Sequence, residues 1–302
     1  MRIIIMGGSG LIGEPLTRSL ASGGHEVVVL SRNPARVSGL PAGARAERWD
    51  ARTGAGWSQL AGNAAIVNLA GENISQGRWT DEVKQRIRDS RLNAGKAVVN
   101  GVEGSPSRPR VLIQASAVGY YGPRGDEELR EDSPPGTDFL AQVCIDWEAS
   151  TAAVETMGVR RAVIRTSPVL AAGEGVLPRM MLPFRFFAGG RLGSGRQWFP
   201  WIHVEDEVAA IRFLIEHEEA RGPFNLASPH SVTNAQFSRA LGKAMRRPSI
   251  LPTPTLVLSL LYGEMGRSLM GSQRVIPQRL LDLGFRFSFA GVRDALRNLL
   301  GP

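Results

Sequence analysis

The chain has 302 residues, of which 43% are hydrophobic and 21% are charged. This balance predicts a globular protein with a large core, and it excludes disordered, collagen-like and disulfide-stapled classes. One cysteine, Cys144, allows no internal disulfide, which is typical of a reducing compartment. We recognise no signal peptide, and the longest late apolar run, 256–261, is far too short for a membrane span. We therefore expect a soluble, cytoplasmic protein.

The formal net charge is +8, which raises the question of nucleic-acid binding. The basic residues are almost all arginines, spread along the chain and interleaved with acids. A nucleic-acid interface usually gathers its cations into one patch or stripe. We therefore expect a solvated, arginine-rich surface and neither a nucleic-acid nor a membrane partner.

Strand and helix patterns alternate along the first half of the chain. Short apolar runs predict strands at Arg2–Met6, His25–Leu30, Ala64–Leu69, Arg110–Ala115, Arg161–Thr166 and Gly222–Leu226. Apolar residues at helical spacing predict helices at Leu11–Leu20, Asp81–Asn100 and Asp138–Met157. Strands that alternate with helices predict a parallel sheet covered on both faces.

The glycine-rich segment Gly7-Gly-Ser-Gly-Leu-Ile-Gly13 lies between the first predicted strand and the first predicted helix. This is the context that a dinucleotide-binding loop requires, since glycines allow a tight turn and the helix N-terminus offers N–H groups to phosphate. The alternative is a merely structural turn. The loop residues that we expect to contact a cofactor are Gly7, Ser9, Gly10, Leu11, Ile12 and Gly13.

The motif and the alternation together predict an α/β, Rossmann-type, doubly wound parallel sheet. After Thr166, Gly- and Pro-rich stretches interrupt short apolar segments. We expect residues 1–170 to form the dinucleotide-binding domain, completed by about 200–230. Residues 171–199 and 231–302 would form a smaller C-terminal substrate lobe.

The end of the second predicted strand indicates which dinucleotide binds. It reads Leu30-Ser31-Arg32 and carries no carboxylate, whereas NAD-binding folds usually place Asp or Glu there for the ribose 2′-hydroxyl. A guanidinium and a hydroxyl suit a 2′-phosphate, so we predict that NADP(H) is preferred over NAD(H). The alternative for Arg32 is a solvent-facing loop arginine.

Other cofactor contacts are predicted near the third and fourth strands. Asp50 could accept a hydrogen bond from the adenine amino group, or it could be a surface turn residue. The backbone of Asn68, Leu69, Ala70 and Gly71 would run along the adenosine half of the cofactor. Ser90 and Arg91, on the next helix, either reach back to that loop or belong to an exposed face.

Further motifs extend along nearly the whole chain, and with them the sequence resembles an extended short-chain dehydrogenase/reductase. The resemblance is to the NAD-dependent epimerase/dehydratase superfamily, in its subgroup of "epimerase family" proteins. It is carried by Gly7–Gly13, Gly24–Val27, Asn68–Ile74, Arg78–Thr80, Ser90-Arg91, Ala115–Gly122, Trp147-Glu148, Gly193–Gly195, Trp201–Val204, Gln273–Pro277 and Gly284-Phe285. It implies a Rossmann fold, a C-terminal substrate lobe and NADP(H) binding, without naming a substrate.

The superfamily's proton relay, a Tyr-x-x-x-Lys pair with an upstream serine, is not present in this chain. The residues four positions after the three tyrosines are Arg124, Gly125 and Gly266. By position in the predicted helix, Cys144 and Glu148 take the two places of the pair. A glutamate cannot lower the pKa of a neighbour as an ammonium group does.

Several residues are candidates for replacing that relay. Ser116 matches the family serine if Tyr120 is taken as the reference, and Tyr120 or Tyr121 could act as an acid. Both tyrosines could instead shape the cofactor pocket. Cys144 is either a nucleophile or a small buried residue, and Glu148 either lines the cleft or accepts hydrogen bonds from ribose hydroxyls.

We expect no metal site, since His203 and Asp206 lack further ligands at suitable spacing and are typical of a segment that supports the lobe. Around the loop 189–195, the arginines Arg179, Arg185, Arg191 and Arg196 could meet an anionic ligand. The sequence thus predicts an NADP(H)-binding oxidoreductase or epimerase-like enzyme for a small molecule, as a monomer or homodimer. The alternative is a catalytically weak NADP(H) sensor or scaffold that docks on a protein partner.

Overall fold

The computed structural model describes residues 1–74, 78–252, 263 and 271–301. The predicted run 256–261 lies outside these residues. Within them, thirteen strands are present: β1 Arg2–Met6, β2 Glu26–Ser31, β3 Ala44–Arg48, β4 Ala65–Asn68, β5 Val111–Ala117, β6 Glu128–Leu129, β7 Arg160–Thr166, β8 Val169–Leu170, β9 Trp198–Phe199, β10 Ile202–His203, β11 Gly222–Leu226, β12 Val232–Thr233 and β13 Arg274–Val275.

Seven of these strands form one parallel sheet in the order β11-β7-β5-β4-β1-β2-β3. The order reverses on either side of β1, as in doubly wound folds, where ligands bind beyond the carboxyl ends of the strands. The fold class is therefore confirmed. The proposed division at residues 170 and 171 stays a prediction.

Helices cover the sheet and build the lobe. They are α1 Gly13–Ser22, α2 Asp81–Glu103, α3 Phe139–Ala149, α4 Ala153–Thr156, α5 Leu177–Arg185, α6 Val204–Glu216 and α7 Asn234–Met245, followed by the helices Gln278–Asp282 and Val292–Leu300. The prediction of one helix over Asp138–Met157 is wrong, because the chain leaves the α-helix at Ser150. There the Ser150 hydroxyl donates to the carbonyl of Trp147, and the following N–H groups bond three residues back.

Alternate residues of the strands pack on opposite faces of the sheet, since side chains in a strand point alternately up and down. One face packs on α1 and α6 through the residues Ile3, Ile5, Val27, Val29, Leu16, Leu20, Ile211 and Leu214. The other face packs on α2 through Ile4, Met6, Val28, Leu30, Ala94, Ala97 and Val98. The side chains of both layers are fully or almost fully buried. The two faces of the sheet are therefore covered, and its carboxyl edge is the part that is left for a ligand.

A separate apolar cluster holds α5, α7 and the helix Val292–Leu300 together. The segment around His203 connects this cluster to the sheet. The His203 ring stacks on Phe289 with centroids 3.9 Å apart, and Asp206 accepts hydrogen bonds from the backbone N–H groups of Ser288 and Phe289. The geometry of His203 and Asp206 is thus that of a support for the C-terminal segment.

Candidate functional site

The loop between β1 and α1 is shaped by close backbone contacts. Gly7 has φ +80°, a left-handed conformation that favours glycine. A Cβ on Gly13 would overlap the carbonyl oxygen of Gly7, so the start of α1 packs directly on the turn before it. Gly10 is exposed, and a Cβ there would meet only Gly7 oxygen at 3.4 Å. Gly7 and Gly13 therefore fix the loop, whereas Gly10 leaves open surface.

The N-terminus of α1 carries no side-chain cap. Its N-cap residue, Ile12, is apolar, and Ser9 and Gly10 in front of it are exposed. The first N–H groups of a helix have no partner within the helix, and together with the helix dipole they attract an anion. The predicted loop residues Gly7 to Gly13 thus come together at one exposed helix end that suits a phosphate group.

The end of β2 holds Ser31 and Arg32. The Ser31 hydroxyl accepts a hydrogen bond from the backbone N–H of Asn33, and the Arg32 side chain is exposed. Asp50 is less open to a ligand, because its carboxylate accepts bonds from the N–H groups of Arg52 and Thr53 and from the Thr53 hydroxyl. For Asp50 this geometry favours the surface turn that the sequence left as the alternative.

The loop after β4 lies against the glycine loop, since a Cβ on Gly7 would be 3.0 Å from the carbonyl oxygen of Leu69. Asn68 is buried; its amide donates to Gln114 at 3.0 Å, and its oxygen accepts from the N–H of Ala70. The Ser90 hydroxyl accepts from the N–H of Glu72 at 3.0 Å. The side chains of Asn68 and Ser90 therefore accept hydrogen bonds from the backbone of this loop, at Ala70 and Glu72, and hold its conformation.

At the ends of β5 and β7, polar side chains form a buried network. Ser116 on β5 pairs in register with Arg165 on β7. The Ser116 hydroxyl donates to Glu148 Oε1 at 2.7 Å, and Arg165 donates to both oxygens of Glu148, from Nε at 2.9 Å and from Nη2 at 3.0 Å. Glu148 on α3 is thus held by a bidentate ion pair with Arg165, the strong form of an arginine–carboxylate interaction.

Two more residues complete this network on the side of β11. Arg165 Nη1 donates to the Tyr121 hydroxyl at 3.0 Å, and that hydroxyl donates to Asn225 Oδ1 at 2.6 Å. Burial raises the pKa of Tyr121 to about 12, so its phenol is protonated at neutral pH. We call Ser116, Glu148, Arg165, Tyr121 and Asn225 the brace, since together they join β5, α3, β7 and β11.

The brace uses three of the five predicted catalytic residues in internal contacts. Tyr121 is fully buried, whereas Tyr120 keeps part of its surface exposed. The Tyr120 ring lies on the Arg165 guanidinium, with its centroid 3.5 Å from Cζ. Of the two tyrosines, only Tyr120 is accessible from outside the protein.

Cys144 is almost fully buried beside the turn Val118–Tyr121. Burial and, secondly, the charge of Glu148 raise the pKa of its thiol to about 11. A thiol that stays protonated is a poor nucleophile. This geometry favours the packing role for Cys144, which the sequence left as the alternative to catalysis.

Sequence reasoning missed Arg165, Asn225 and Glu131. Glu131 is buried, and burial raises its pKa; its Oε1 accepts bonds from the backbone N–H groups of Asn225 and Arg279. A signal did exist for two of these residues. Arg165 and Asn225 each stand one residue before the end of a strand and directly after apolar residues, where a polar side chain needs a partner.

The remaining predicted sites lie elsewhere. Arg185, Arg191 and Arg196 are exposed around the loop 189–195, where Arg191 donates to the carbonyl of Gly193. No group of three or more potential metal ligands occurs among the residues that the structure describes. In the same part of the chain, no helix is long and apolar enough to cross a membrane.

The reversed parallel sheet, with its glycine loop leading into an uncapped helix, defines a Rossmann-type α/β protein. The family model for the NAD dependent epimerase/dehydratase family matches residues 3–227, and a model for a domain of unknown function matches 253–299. The chain belongs to the NAD dependent epimerase/dehydratase family, as an atypical extended short-chain dehydrogenase/reductase. The resemblance inferred from the sequence is therefore confirmed.

Individual relatives agree with this assignment. Epimerase family protein YfhF of Bacillus subtilis is 37% identical over 301 residues, covering 99% of this chain and 98% of the relative. The crystal structure of human epimerase family protein SDR39U1, isoform 2, with NADPH superimposes with a TM-score of 0.86 at 33% identity, covering 99% of each chain. A UDP-glucose 4-epimerase of Thermus thermophilus, in complex with NAD, has a TM-score of 0.77 at 18% identity, with 100% of this chain and 99% of that chain covered, which shows the shared fold alone.

Proposed function

We propose that the chain binds NADP(H) at the β1–α1 loop. The observation that carries the proposal is the exposed, uncapped N-terminus of α1 behind the turn that Gly7 and Gly13 fix. The N–H groups of this helix would hold the pyrophosphate, and Arg32 with Ser31 at the end of β2 would hold the 2′-phosphate. The human relative, whose structure contains NADPH, supports the choice of cofactor.

We further propose that the protein is an oxidoreductase or an epimerase-like enzyme for a small molecule. When bound, the nicotinamide supplies or accepts a hydride, and the protein binds and orients the reacting groups. Tyr120 is the accessible phenol at the end of β5, so it is our candidate for the residue that moves a proton to or from the substrate. Exposed arginines near the loop 189–195, such as Arg185 and Arg191, favour an anionic substrate.

A second candidate function is an NADP(H) sensor or scaffold with little catalysis. The brace favours it, because Ser116 is bonded to Glu148, and both Glu148 and Tyr121 are bonded to Arg165. These side chains would have to leave strong internal hydrogen bonds before acting on a substrate. A sensor needs only cofactor binding and a surface that a partner recognises.

Calorimetric titration with NADPH and NADH tests the binding proposal, using wild type, Arg32→Ala and Arg52→Ala. Arg52 is an exposed loop arginine near the same edge and serves as the matched control. Loss of a charged hydrogen bond to phosphate should weaken NADPH binding about tenfold to a hundredfold in Arg32→Ala, with NADH little changed. Equal effects of the two substitutions would contradict the role of Arg32, and no binding of either nucleotide would contradict the function itself.

Turnover separates the two candidate functions. Wild type and Tyr120→Phe are mixed with NADPH and a panel of small aldehydes, ketones and keto acids, and the absorbance of the reduced nicotinamide is followed. An enzyme should consume NADPH with at least one carbonyl class, and the phenylalanine variant should be slower by about a hundredfold or more. Tight NADPH binding without consumption would favour the sensor.

A further inference from the structure

Arg91 of α2 reaches back under the loop that follows β4. Its Nη1 donates to the carbonyls of Glu72 at 3.1 Å and Ile87 at 2.9 Å. A Cβ on Gly71 would be 3.1 Å from the guanidinium carbon. On another side the guanidinium contacts the Trp147 ring, with Cζ 4.8 Å from the centroid. The cation is therefore held between the loop and α3.

This cation has no counter-ion among the described residues. The Glu72 carboxylate attracts it only at a distance, since Glu72 Oε1 is bonded to Arg86 Nε at 3.1 Å. The neighbouring Cys144 thiol stays protonated, because burial raises its pKa to about 11. Burial likewise lowers the pKa of Arg91, as expected of a desolvated cation. A charge in such a place is costly unless something pairs with it.

The donors that remain free point to the class of ligand. Arginine has five N–H groups, and both on Nη1 are in use; within the described chain, nothing accepts from Nε or Nη2. These two nitrogens form the edge that binds carboxylate or phosphate with two parallel hydrogen bonds. On the ring that the guanidinium contacts, the indole N–H of Trp147 is buried and lacks an acceptor among the same residues. Unpaired donors of this kind call for an anionic oxygen ligand.

We propose that Arg91, with Trp147 beside it, forms an anion-binding site at the carboxyl end of β4 for phosphate or carboxylate oxygens. The proposal rests on the NADP(H) function, because Gly71 above Arg91 belongs to the loop that touches Gly7 of the cofactor loop. The anion comes from one of two sources, the pyrophosphate of the cofactor or an acidic group of the substrate. In either case Arg91 binds the ligand directly.

The test compares wild type with Arg91→Met, which keeps an unbranched apolar stem and removes the charge. Arg91→Lys keeps the charge without the bidentate edge, and Lys96→Met is the control, an exposed cation on the same helix. Circular dichroism and thermal melting establish that each variant is folded. Calorimetry then gives the affinities for NADPH and for 2′-AMP, which lacks the pyrophosphate and the nicotinamide. Inorganic phosphate and oxalate are titrated against free and NADPH-bound protein.

If the cofactor supplies the anion, Arg91→Met weakens NADPH binding about tenfold or more and leaves 2′-AMP binding unchanged. If the substrate supplies it, NADPH affinity is unchanged, while phosphate or oxalate binds the NADPH complex of the wild type and not that of Arg91→Met. Arg91→Lys recovers part of either loss. Affinities for all four ligands that do not differ between wild type and Arg91→Met overturn the proposal and leave Arg91 as a structural cation. If wild type binds neither nucleotide, the NADP(H) function fails, and the phosphate and oxalate titrations of free protein still decide the role of Arg91.

Discussion

Two regions at the carboxyl edge of the sheet use their polar groups in opposite ways. At the β1–α1 loop, α1 begins behind the exposed residues Ser9 and Gly10 and has no side-chain cap. At the ends of β5 and β7, the hydroxyl of Ser116 and the carboxylate of Glu148 are bonded to other residues of the brace. The first region suits the cofactor that we propose, whereas the second mainly stabilises the protein. Retention of a cofactor site therefore does not imply retention of the family's proton relay.

Among substitutions in the two regions, we expect the most severe effect on NADPH binding at Gly13. In Gly13→Ala the new methyl group would overlap the carbonyl of Gly7 and come within 2.6 Å of the Gly8 Cα, so the loop must open. We expect a loss of about 3 kcal/mol in the free energy of unfolding and no detectable NADPH binding. Chemical denaturation and calorimetry measure the two effects.

Gly10→Ala is the matched control, because its methyl group meets only Gly7 oxygen, at 3.4 Å. The control should retain the wild-type stability. Equal stability of Gly13→Ala and Gly10→Ala would show that the loop is more adaptable than its contacts indicate.

The brace should respond next, with a loss of stability that is as large as that of Gly13→Ala or larger. Arg165→Met removes the cation that holds Glu148, whose side chain is only 16% exposed, and leaves the carboxylate without its main partner. Breaking a buried ion pair in this way costs about 3–5 kcal/mol of unfolding free energy. Arg18→Met, which breaks an exposed pair with Glu14, should cost about 0.5 kcal/mol or less. Similar losses in the two variants, measured by urea denaturation, would mean that the brace is not a stabilising unit.

A pH-dependent effect, small near pH 5, is expected from Glu207, another buried polar group near the end of β7. Glu207 Oε1 accepts from the Thr166 hydroxyl at 2.8 Å, and burial raises the pKa of Glu207 to about 8. Its ordinary pKa is 4.5, so between these values the unfolded chain has lost a proton that the folded protein retains. The contribution of Glu207 to stability is therefore full below pH 4.5 and declines as the pH rises towards 8.

The decline has a limiting slope of about 1.4 kcal/mol per pH unit. Glu207→Gln carries no proton to lose, so its stability relative to wild type should increase from pH 5 to pH 8, as followed by denaturation at several pH values. Glu205→Gln, an exposed neighbour on α6, should run parallel to wild type. A Glu207→Gln curve that also runs parallel would rule out a protonated Glu207.

Much of the fold could be predicted because the strands of a parallel sheet are continuous apolar runs, as at Arg2–Met6. The glycine loop could also be predicted, since the spacing of its glycines is a local property of the sequence. The brace was not, because it joins residues from four distant elements, and no local pattern links Tyr121 to Asn225. The break of the helix at Ser150 was missed because one hydroxyl bonding to its own backbone leaves the apolar periodicity intact.

The bond between Tyr121 and Asn225 also has a temporal consequence. These residues are 104 positions apart, and β11, which carries Asn225, pairs directly with β7 at the edge of the sheet. During synthesis the ribosome must therefore complete more than two thirds of the chain before the brace can close. Contacts so distant in sequence form late and slow the folding of a domain. Until then, the nascent protein exposes the edge of β7 and leaves the Tyr121 hydroxyl without its acceptor on Asn225, and it is then that a chaperone would have most to protect.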